Sequence, residues 1–308
     1  MRALARRFKD GHPAQSKINE DLSLREAGYR GERNLDYYLS FLEERDFYFI
    51  HDLRLQAESG HFFQMDTVVL HSAFVGIIEA KNTSGNIQFQ KSPRQVVRQI
   101  QEKEQVISNP HLQVKRQRLQ LMDWLLFNGW PLLPIYEFVA FTNPLTKIHS
   151  DSPRVTHAED IPHLLGEQQQ RPSSIKLDQK QIQNLSKMLV LSHQKDCSSI
   201  VPSYKMSSSD IQTGVQCPKC ESLQMRRGII QGGWQCEMCH NISKDAHIQA
   251  LEDFLLLVQP TITNRQFRDF LQISSSKTAY RLLSQLSIPR THSNKHSFYT
   301  LSYPLHKR

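Results

Sequence analysis

Two acids and one base lie at the edges of an apolar stretch. In "VVLHSAFVGIIEAKN", residues 68–82, Glu79 and Lys81 stand two positions apart at the end of an apolar run, and Asp66 lies just before it. A charge buried without a partner costs several kcal/mol, so these groups must reach a cleft, a cation or one another. The types and spacing of these residues therefore indicate a site that performs chemistry.

The strand period predicts how these groups meet. Alternate residues of a strand share a face, so Glu79 and Lys81 are expected together, and a tight connection at His71–Ser72 would bring Asp66 within a few ångströms of Glu79. Two carboxylates so close share a proton or a divalent cation, and Mg²⁺ or Mn²⁺ is the expected ion. The cation would stabilise charge on a phosphate while Lys81 orients or deprotonates the attacking water, which is phosphodiester hydrolysis.

These residues carry a resemblance to a known family. The pattern D…ExK of the PD-(D/E)xK nuclease superfamily matches Asp66 with Glu79-Ala80-Lys81. Over about residues 25–145 the sequence is similar to one branch of that superfamily, the nuclease-related domain called NERD. The matching stretches, in the order and rough spacing of that family, are "GYRGE" (28–32), "QMDTVVL" (64–70), "GIIEAKNTSGNI" (76–87) and "NPHLQVKRQRL" (109–119).

The resemblance implies a restriction-endonuclease-like core with Asp66, Glu79 and Lys81 as its active centre. It also implies that Glu32, on the first long helix, and Gln113, on a later helix, are accessory residues of the cleft. The implied activity is that of a Mg²⁺-dependent deoxyribonuclease. The alternative is a regulator or processing factor whose nuclease-like fold grips nucleic acid without cleaving it.

Two residues depart from the family pattern. Met65 stands where the superfamily has a proline before the aspartate, and Thr67 stands where NERD sequences often have histidine. Neither departure removes a charge that the hydrolysis requires.

Four of the five cysteines form two C-x-x-C pairs, Cys217 with Cys220 and Cys236 with Cys239, separated by fifteen residues. Two pairs at this spacing are typical of a tetrahedral Zn²⁺ site, and four thiolates leave the ion no open position, so the zinc is expected to be structural. Because polar and apolar residues alternate between the pairs, the segment resembles a zinc ribbon. Disulfides or a redox pair are the alternative, which a reducing compartment disfavours.

The fifth cysteine, Cys197, lies in a polar, serine-rich stretch and is expected to be an inert thiol. The basic first residues are not followed by the apolar core of a secretory signal, and no stretch approaches the roughly 20 apolar residues of a membrane span. The sequence therefore predicts a cytoplasmic protein that has no membrane partner.

Positive charge is concentrated at the end of the chain. Residues 262–308 carry eight basic residues and one acid, Asp269, which accounts for +7 of the formal net charge of +8. A basic end on a nearly neutral body indicates a polyanionic partner, and DNA is the first candidate. Other DNA-processing proteins are a second class of partner, and the sequence does not determine the oligomeric state.

The basic end resembles a winged helix-turn-helix in pattern. The expected elements are helices over Ile248–Val258, from Thr263 to near Leu271, and from a Ser274 cap to near Leu286, followed by a basic hairpin. The residues expected to contact DNA are Arg226, Arg227, Lys277, Arg281, Arg290 and Lys295. A solvated turn explains the two ribbon arginines equally well, and a helical protein-interaction module is the alternative for the whole segment.

The remaining sequence predicts the elements that position these groups. They are a helix over Leu22–Glu44, strands Phe47–Leu55, Phe62–Leu70 and Phe74–Lys81, a helix capped by Asn109, a strand in "LLPIYEFVAFTN" and a helix over Asp178–His193. This order predicts an α/β fold with a mixed sheet flanked by helices. The expected domains are a NERD nuclease-like domain at 1–195, a linker at 196–213, a zinc ribbon at 214–245 and a small helical, winged-helix-like domain at 246–308.

Overall fold

The structure is a computed structural model that describes residues 1–9, 11–42, 47–92, 94–196, 199–228, 232–293 and 296–306. The chain divides into two compact units. The central unit comprises residues 24–196, and the terminal unit combines residues 1–23 with 197–308. No helix in the described ranges is both long enough and apolar enough to cross a membrane.

The helices and strands follow one another along the chain as two lists. Up to residue 196 they are α1 (Arg2–Arg7), α2 (Gln15–Leu39), β1 (Tyr48–Gln56), β2 (Phe62–His71), β3 (Phe74–Lys81), β4 (Asn86–Phe89), β5 (Val96–Ile100), β6 (Lys103–Ile107), α3 (Pro110–Phe127), β7 (Ile135–Phe141), β8 (Lys147–His149), β9 (Val155–His157), α4 (Ile161–Gln169) and α5 (Gln179–Leu191). Beyond it they are β10 (Met225–Arg227), β11 (Trp234–Cys236), β12 (Ile242–Ser243), α6 (Ala246–Leu257), β13 (Thr261–Thr263), α7 (Asn264–Leu271), α8 (Ser276–Ser284), β14 (Arg290–Ser293) and β15 (His296–Thr300).

Five strands of the central unit form a mixed sheet in the order β1-β2-β3-β7-β9, which confirms the predicted fold class. β1, β2 and β3 are antiparallel neighbours, and β7 and β9 continue parallel to β3. The predicted hairpin joins β2 to β3, with His71 opposite Phe74. β3 is buried from Phe74 to Glu79, as a near-continuous apolar run predicts for a central strand.

A second sheet of the central unit, in the order β6-β5-β4-β8, is absent from the sequence prediction. Its strands are short, and β6 is exposed at four of its five residues. Such strands lack the alternation of apolar and polar residues by which a half-buried strand is recognised.

The start of one helix that flanks the site was predicted correctly, and the start of the other was not. α3 starts as predicted, because Asn109 Oδ1 accepts from the backbone N–H groups of His111 at 3.0 Å and Leu112 at 3.2 Å. α2 begins at Gln15 instead of Leu22 and ends at Leu39, while the predicted end at Glu44 lies outside the described residues. The polar composition of its first turns obscures the helical period of apolar residues.

The terminal unit contains the antiparallel sheets β10-β11-β12 and β13-β15-β14 together with α1 and α6 to α8. The cap of α7 is Thr263, as predicted. The cap of α8 is Ser275 instead of the predicted Ser274, and α8 ends at Ser284. Adjacent serines offer the same cap chemistry, so the sequence could not choose between them. The hairpin β14–β15 lies where a basic hairpin was predicted, and Lys295 is outside the described residues.

Residues 1–23 and the segment predicted as a linker both pack within the terminal unit, which differs from the domain boundaries expected from the sequence. Leu4 of α1 lies in the same buried cluster as Val201, Met206 and Ile211 of that segment. The segment is polar apart from these few residues, so composition alone indicates a linker.

A buried ion pair fixes the first helix in this unit. Arg7 is fully buried, and its Nε lies 2.7 Å from Asp253 Oδ2 of α6. Arg7 Nη1 also donates to the backbone oxygens of Gln212 and Gly214, at 3.0 Å each. Because a buried guanidinium requires such partners, Arg7 specifies where the start of the chain packs.

Candidate functional site

The β2–β3 hairpin brings two acids to one strand end, as the sequence predicts. Thr67 pairs with Ile78, so Asp66 and Glu79 occupy the next opposed positions. Asp66 Oδ2 accepts a 2.9 Å hydrogen bond from the backbone N–H of Ala80. This bond holds the Asp66 carboxylate beside that of Glu79.

Glu79 is buried and has a donor for each carboxylate oxygen. Its side chain is 2% exposed, and Lys81 Nζ lies 2.5 Å from its Oε1, in agreement with the strand period. Gln113 Nε2 donates to Oε1 at 2.8 Å, and Gln117 Nε2 donates to Oε2 at 3.1 Å. One ammonium and two amides thereby offset the cost of burying this carboxylate.

Gln117 belongs to this site but is absent from the sequence prediction. It is buried, and it also donates to the backbone oxygen of Gln64 in β2 at 2.8 Å. Residues four positions apart on a helix lie on one face, so Gln117 follows Gln113 toward Glu79. That spacing is the signal by which Gln117 could have been identified.

Helix α2 lies against the ends of β3 and β7 because Gly31 permits a close approach. A Cβ atom at this position would lie 2.7 Å from both Asn82 Cβ and Thr142 Oγ1. Asn82 Nδ2 donates to the backbone oxygen of Ala27 at 2.8 Å, and Asn34 Nδ2 donates to that of Thr142 at 2.7 Å. The absence of a side chain at Gly31 therefore allows α2 to pack closely against these strand ends.

Glu32, next to Gly31, lies at the rim of the site with an exposed side chain. Partial burial of its carboxyl group raises its pKa, and repulsion from Asp52, Asp36 and Glu79 raises it further. Lys81 acts in the opposite direction. Glu32 thus shares the electrostatic environment of Glu79 and Lys81.

Asp66, at the strand end, has a strongly raised pKa. The pKa of Asp66 is raised to about 7, mainly by burial and further by repulsion from Glu79, while the Ala80 N–H and Lys81 oppose the increase. A carboxyl group in this state is stabilised by a proton or by a cation. The strand end therefore has more negative charge than its own donors balance.

The donor chemistry of the strand end suits a hard divalent cation. Asp66 and Glu79 offer only carboxylate oxygens, which are the ligands that Mg²⁺ prefers. Within the described residues these two carboxylates do not gather with a third His, Cys, Asp or Glu into one compact group of ligand atoms. A cation here would therefore complete its coordination with water, backbone oxygen or substrate.

The four paired cysteines converge on one point. Their Sγ atoms all lie within 4.8 Å of one another, with 3.6 Å between Cys217 and Cys239 and 3.5 Å between Cys220 and Cys236. A disulfide requires about 2.05 Å, whereas a tetrahedral site with Zn–S bonds of about 2.3 Å has an S–S edge of about 3.8 Å. The cluster therefore fits a metal such as zinc and is compatible with a small zinc ribbon. Cys197 lies outside the described residues.

The two C-x-x-C segments share one backbone geometry. The residue after the second cysteine has a positive φ in each, 61° at Glu221 and 57° at His240. Its N–H donates to the carbonyl oxygen of the first cysteine, at 2.9 Å in one segment and 3.0 Å in the other. His240 therefore forms part of a turn, and the ligand group consists of the cysteines.

Five of the six cations predicted to bind DNA line three clefts around α8. One cleft, of about 560 Å³, includes Arg226, Arg227 and Arg281. Two others, of about 480 and 780 Å³, include Lys277, and the larger also includes Arg290. Among the described residues no Asp or Glu lines any of the three.

Comparison with known proteins identifies part of the central unit. Residues 27–142 match the family model described as nuclease-related domain, NERD, which confirms the resemblance for that region. An uncharacterized protein of Bacillus anthracis is 24% identical over 135 residues, which are 44% of this chain and 63% of that protein's length. The chain therefore matches less than two thirds of this relative. No solved structure matches the chain.

Proposed function

We propose that the central unit is a metal-dependent deoxyribonuclease that hydrolyses phosphodiester bonds and that the terminal unit holds the DNA. The proposal depends most on the grouping of Asp66, Glu79 and Lys81 at the end of β3, within the region that matches the nuclease-related domain. The raised pKa of Asp66 supports a cation at this place, because a bound cation would stabilise the ionised form.

In this mechanism Asp66 and Glu79 would hold the cation, which would supply positive charge to neutralise the phosphate. Lys81 acts through its charge, and its Nζ lies 2.5 Å from Glu79 Oε1. It orients the attacking water and stabilises the negative charge that develops on the phosphate. Gln113 fixes the orientation of Glu79 through its hydrogen bond to Oε1, and Glu32 adds negative charge to the site from α2.

The test is cleavage of linear, nicked, branched and single-stranded DNA with Mg²⁺ or Mn²⁺. Lys81→Ala is expected to lower the rate by about 10²–10³-fold, the usual loss for one preorganised electrostatic group. DNA binding should persist, since the residues that we assign to binding lie in the terminal unit. Lys187→Ala, which removes an exposed lysine of α5 in the same unit, is the matched control and should cleave as the wild type does.

Two outcomes would contradict the proposal. One is the absence of cleavage of every DNA form with either metal. The other is cleavage by Lys81→Ala at the rate of Lys187→Ala, which would place the activity elsewhere or in a contaminant.

A second candidate function has its own support. Both oxygens of Glu79 already accept hydrogen bonds from internal donors, as in a site that is stable without a cation. A unit of this kind would bind nucleic acid without cleaving it. In that case Lys81→Ala would change affinity alone, and added Mg²⁺ would not alter the thermal unfolding of the central unit.

A further inference from the structure

Two arginines in the terminal unit lie close together without an acid. Burial lowers the pKa of Arg227, and repulsion from Arg281 lowers it further. No ion pair involves either guanidinium among the described residues, whereas the neighbouring Arg226 lies 3.3 Å from Glu237. Because like charges repel, such a pair is stabilised by an anion that comes from outside the chain.

The position of Arg227 is fixed by the ribbon sheet. Its backbone pairs with Trp234 across β10 and β11, and its guanidinium carbon lies 5.4 Å from the centroid of the Trp234 ring. Its Nη1 atom is buried and has no hydrogen-bond partner. A buried donor without a partner costs about 1–3 kcal/mol, and the described residues supply no acceptor for this one.

The cleft beside these arginines presents further donors. Ser275, which caps α8, and Thr278, in its first turn, line the cleft together with Arg227 and Arg281. Arg281 is exposed and reaches the cleft from the helix side. The lining therefore combines two guanidinium groups with hydroxyl donors, which is the chemistry that recognises a phosphate group.

We propose that Arg227 and Arg281 together bind a backbone phosphate of nucleic acid in the cleft between β10 and α8. The inference deepens the proposed function and rests on it for the identity of the partner. Of the two arginines of β10 that were predicted to contact DNA, we assign the phosphate contact to Arg227. The charge of the other, Arg226, is already balanced by Glu237.

The neighbouring clefts favour a polymer over a small anion. Arg281 lines both this cleft and the next one along α8, and Lys277 and Tyr280 line that next cleft and the one that contains Arg290. The cations thus form a continuous series around one exposed helix. A nucleic-acid strand carries a repeating negative charge that matches such a series, whereas a single phosphate matches one cleft.

The experiment measures binding of the full chain to labelled single- and double-stranded DNA at several salt concentrations. It is performed in the Lys81→Ala background, so that cleavage does not obscure binding. Arg227→Ala and Arg281→Ala are each expected to weaken binding several-fold and to lower the slope of log K against log salt by about 1. Arg227→Lys should retain most of the slope, which separates loss of charge from disturbance of the ribbon.

Lys244→Ala is the matched control, because it removes one exposed positive charge of the terminal unit outside the three clefts. The proposal would be overturned if Arg227→Ala bound DNA with the same affinity and the same salt dependence as Lys244→Ala. Inorganic phosphate alone provides a second arm. If it raises the thermal stability of the protein as much as DNA does, in a manner that depends on Arg227, the site is one for a small anion and the assignment to nucleic acid is wrong.

The two proposals fail separately. Loss of cleavage in Lys81→Ala together with unchanged binding in Arg227→Ala would overturn only the phosphate site. Weakened binding of Arg227→Ala and Arg281→Ala, as predicted, without any cleavage by the wild type would overturn only the nuclease assignment.

Discussion

The strand end of the central unit and the cleft beside α8 in the terminal unit differ in whether their charged side chains have partners within the protein. At the strand end, buried Glu79 has Lys81, Gln113 and Gln117 as internal donors. In the cleft, Arg227 has a buried nitrogen without a partner and a second arginine nearby. Glu79 is therefore balanced within the fold, whereas Asp66 beside it and Arg227 in the cleft are not, and charges left unbalanced mark places for a ligand.

The cysteine cluster is the strongest case of unbalanced charge and gives the largest expected effect. The four Sγ atoms lie within 4.8 Å of one another, and four thiolates at this distance repel one another unless a cation binds them. If the cluster binds zinc, Cys236→Ser should abolish zinc binding and unfold residues 214–245, since structural zinc contributes on the order of 10 kcal/mol to small folds that depend on it. Zinc content and proteolysis of residues 214–245 measure the effect. Cys197→Ser is the control, and retention of full zinc by Cys236→Ser would show that the cluster is not a four-thiolate site.

The buried pair of Arg7 and Asp253 tests the opposite, internally balanced case. Asp253→Ala leaves the buried Arg7 guanidinium without its acid and should destabilise the terminal unit by about 3–5 kcal/mol. Urea unfolding of the full chain measures the loss. The control is Asp269→Ala, whose exposed pair with Arg265 has a distance of 3.8 Å and is expected to contribute less than about 1 kcal/mol. Equal effects of the two substitutions would refute the distinction between buried and exposed pairs in this unit.

Local chemistry of the site was readable from the sequence. The strand period and a tight hairpin predict Asp66, Glu79 and Lys81 at one strand end, and the cap chemistry of Asn109 predicts the start of α3. The thiolate spacing predicts the four-cysteine cluster. In each case a few neighbouring residues determine the geometry, so a short window of sequence contains the required information.

Features that depend on contacts between distant parts of the chain could not be predicted from the sequence. The packing of residues 1–23 in the terminal unit depends on Arg7 meeting Asp253, which is distant along the chain, and no local pattern marks such a pair. The second sheet of the central unit consists of short strands with exposed residues, so its hydrogen bonds and not its pattern define it. Arg226 differs from Arg227 because it pairs with Glu237 and because it is the more exposed of the two. Two adjacent arginines in a sequence show neither property.

Asp66 offers a prediction that depends on pH. Its pKa is about 7 in the folded protein, above about 3.9 in the unfolded chain, so the folded state binds more protons between these values. Without added Mg²⁺, stability should fall as the pH rises from about 4 to about 7, with a slope of up to about 1.4 kcal/mol per pH unit, and then level off. Asp66→Asn should remove this slope. Unfolding followed by the fluorescence of Trp124 and Trp130, both in the central unit, measures it, and parallel profiles for the two proteins would contradict the prediction.

The smallest expected effect is the one that best separates the two kinds of charge. Arg281→Ala should change the stability of the terminal unit by less than about 0.5 kcal/mol, because Arg281 is exposed and its loss relieves repulsion on Arg227. Any gain in stability should be larger at low salt than at high salt, since salt screens the repulsion. Urea unfolding at both salt concentrations measures the change alongside the DNA affinity. Substantial destabilisation would mean that Arg281 has an internal partner and that its role is structural.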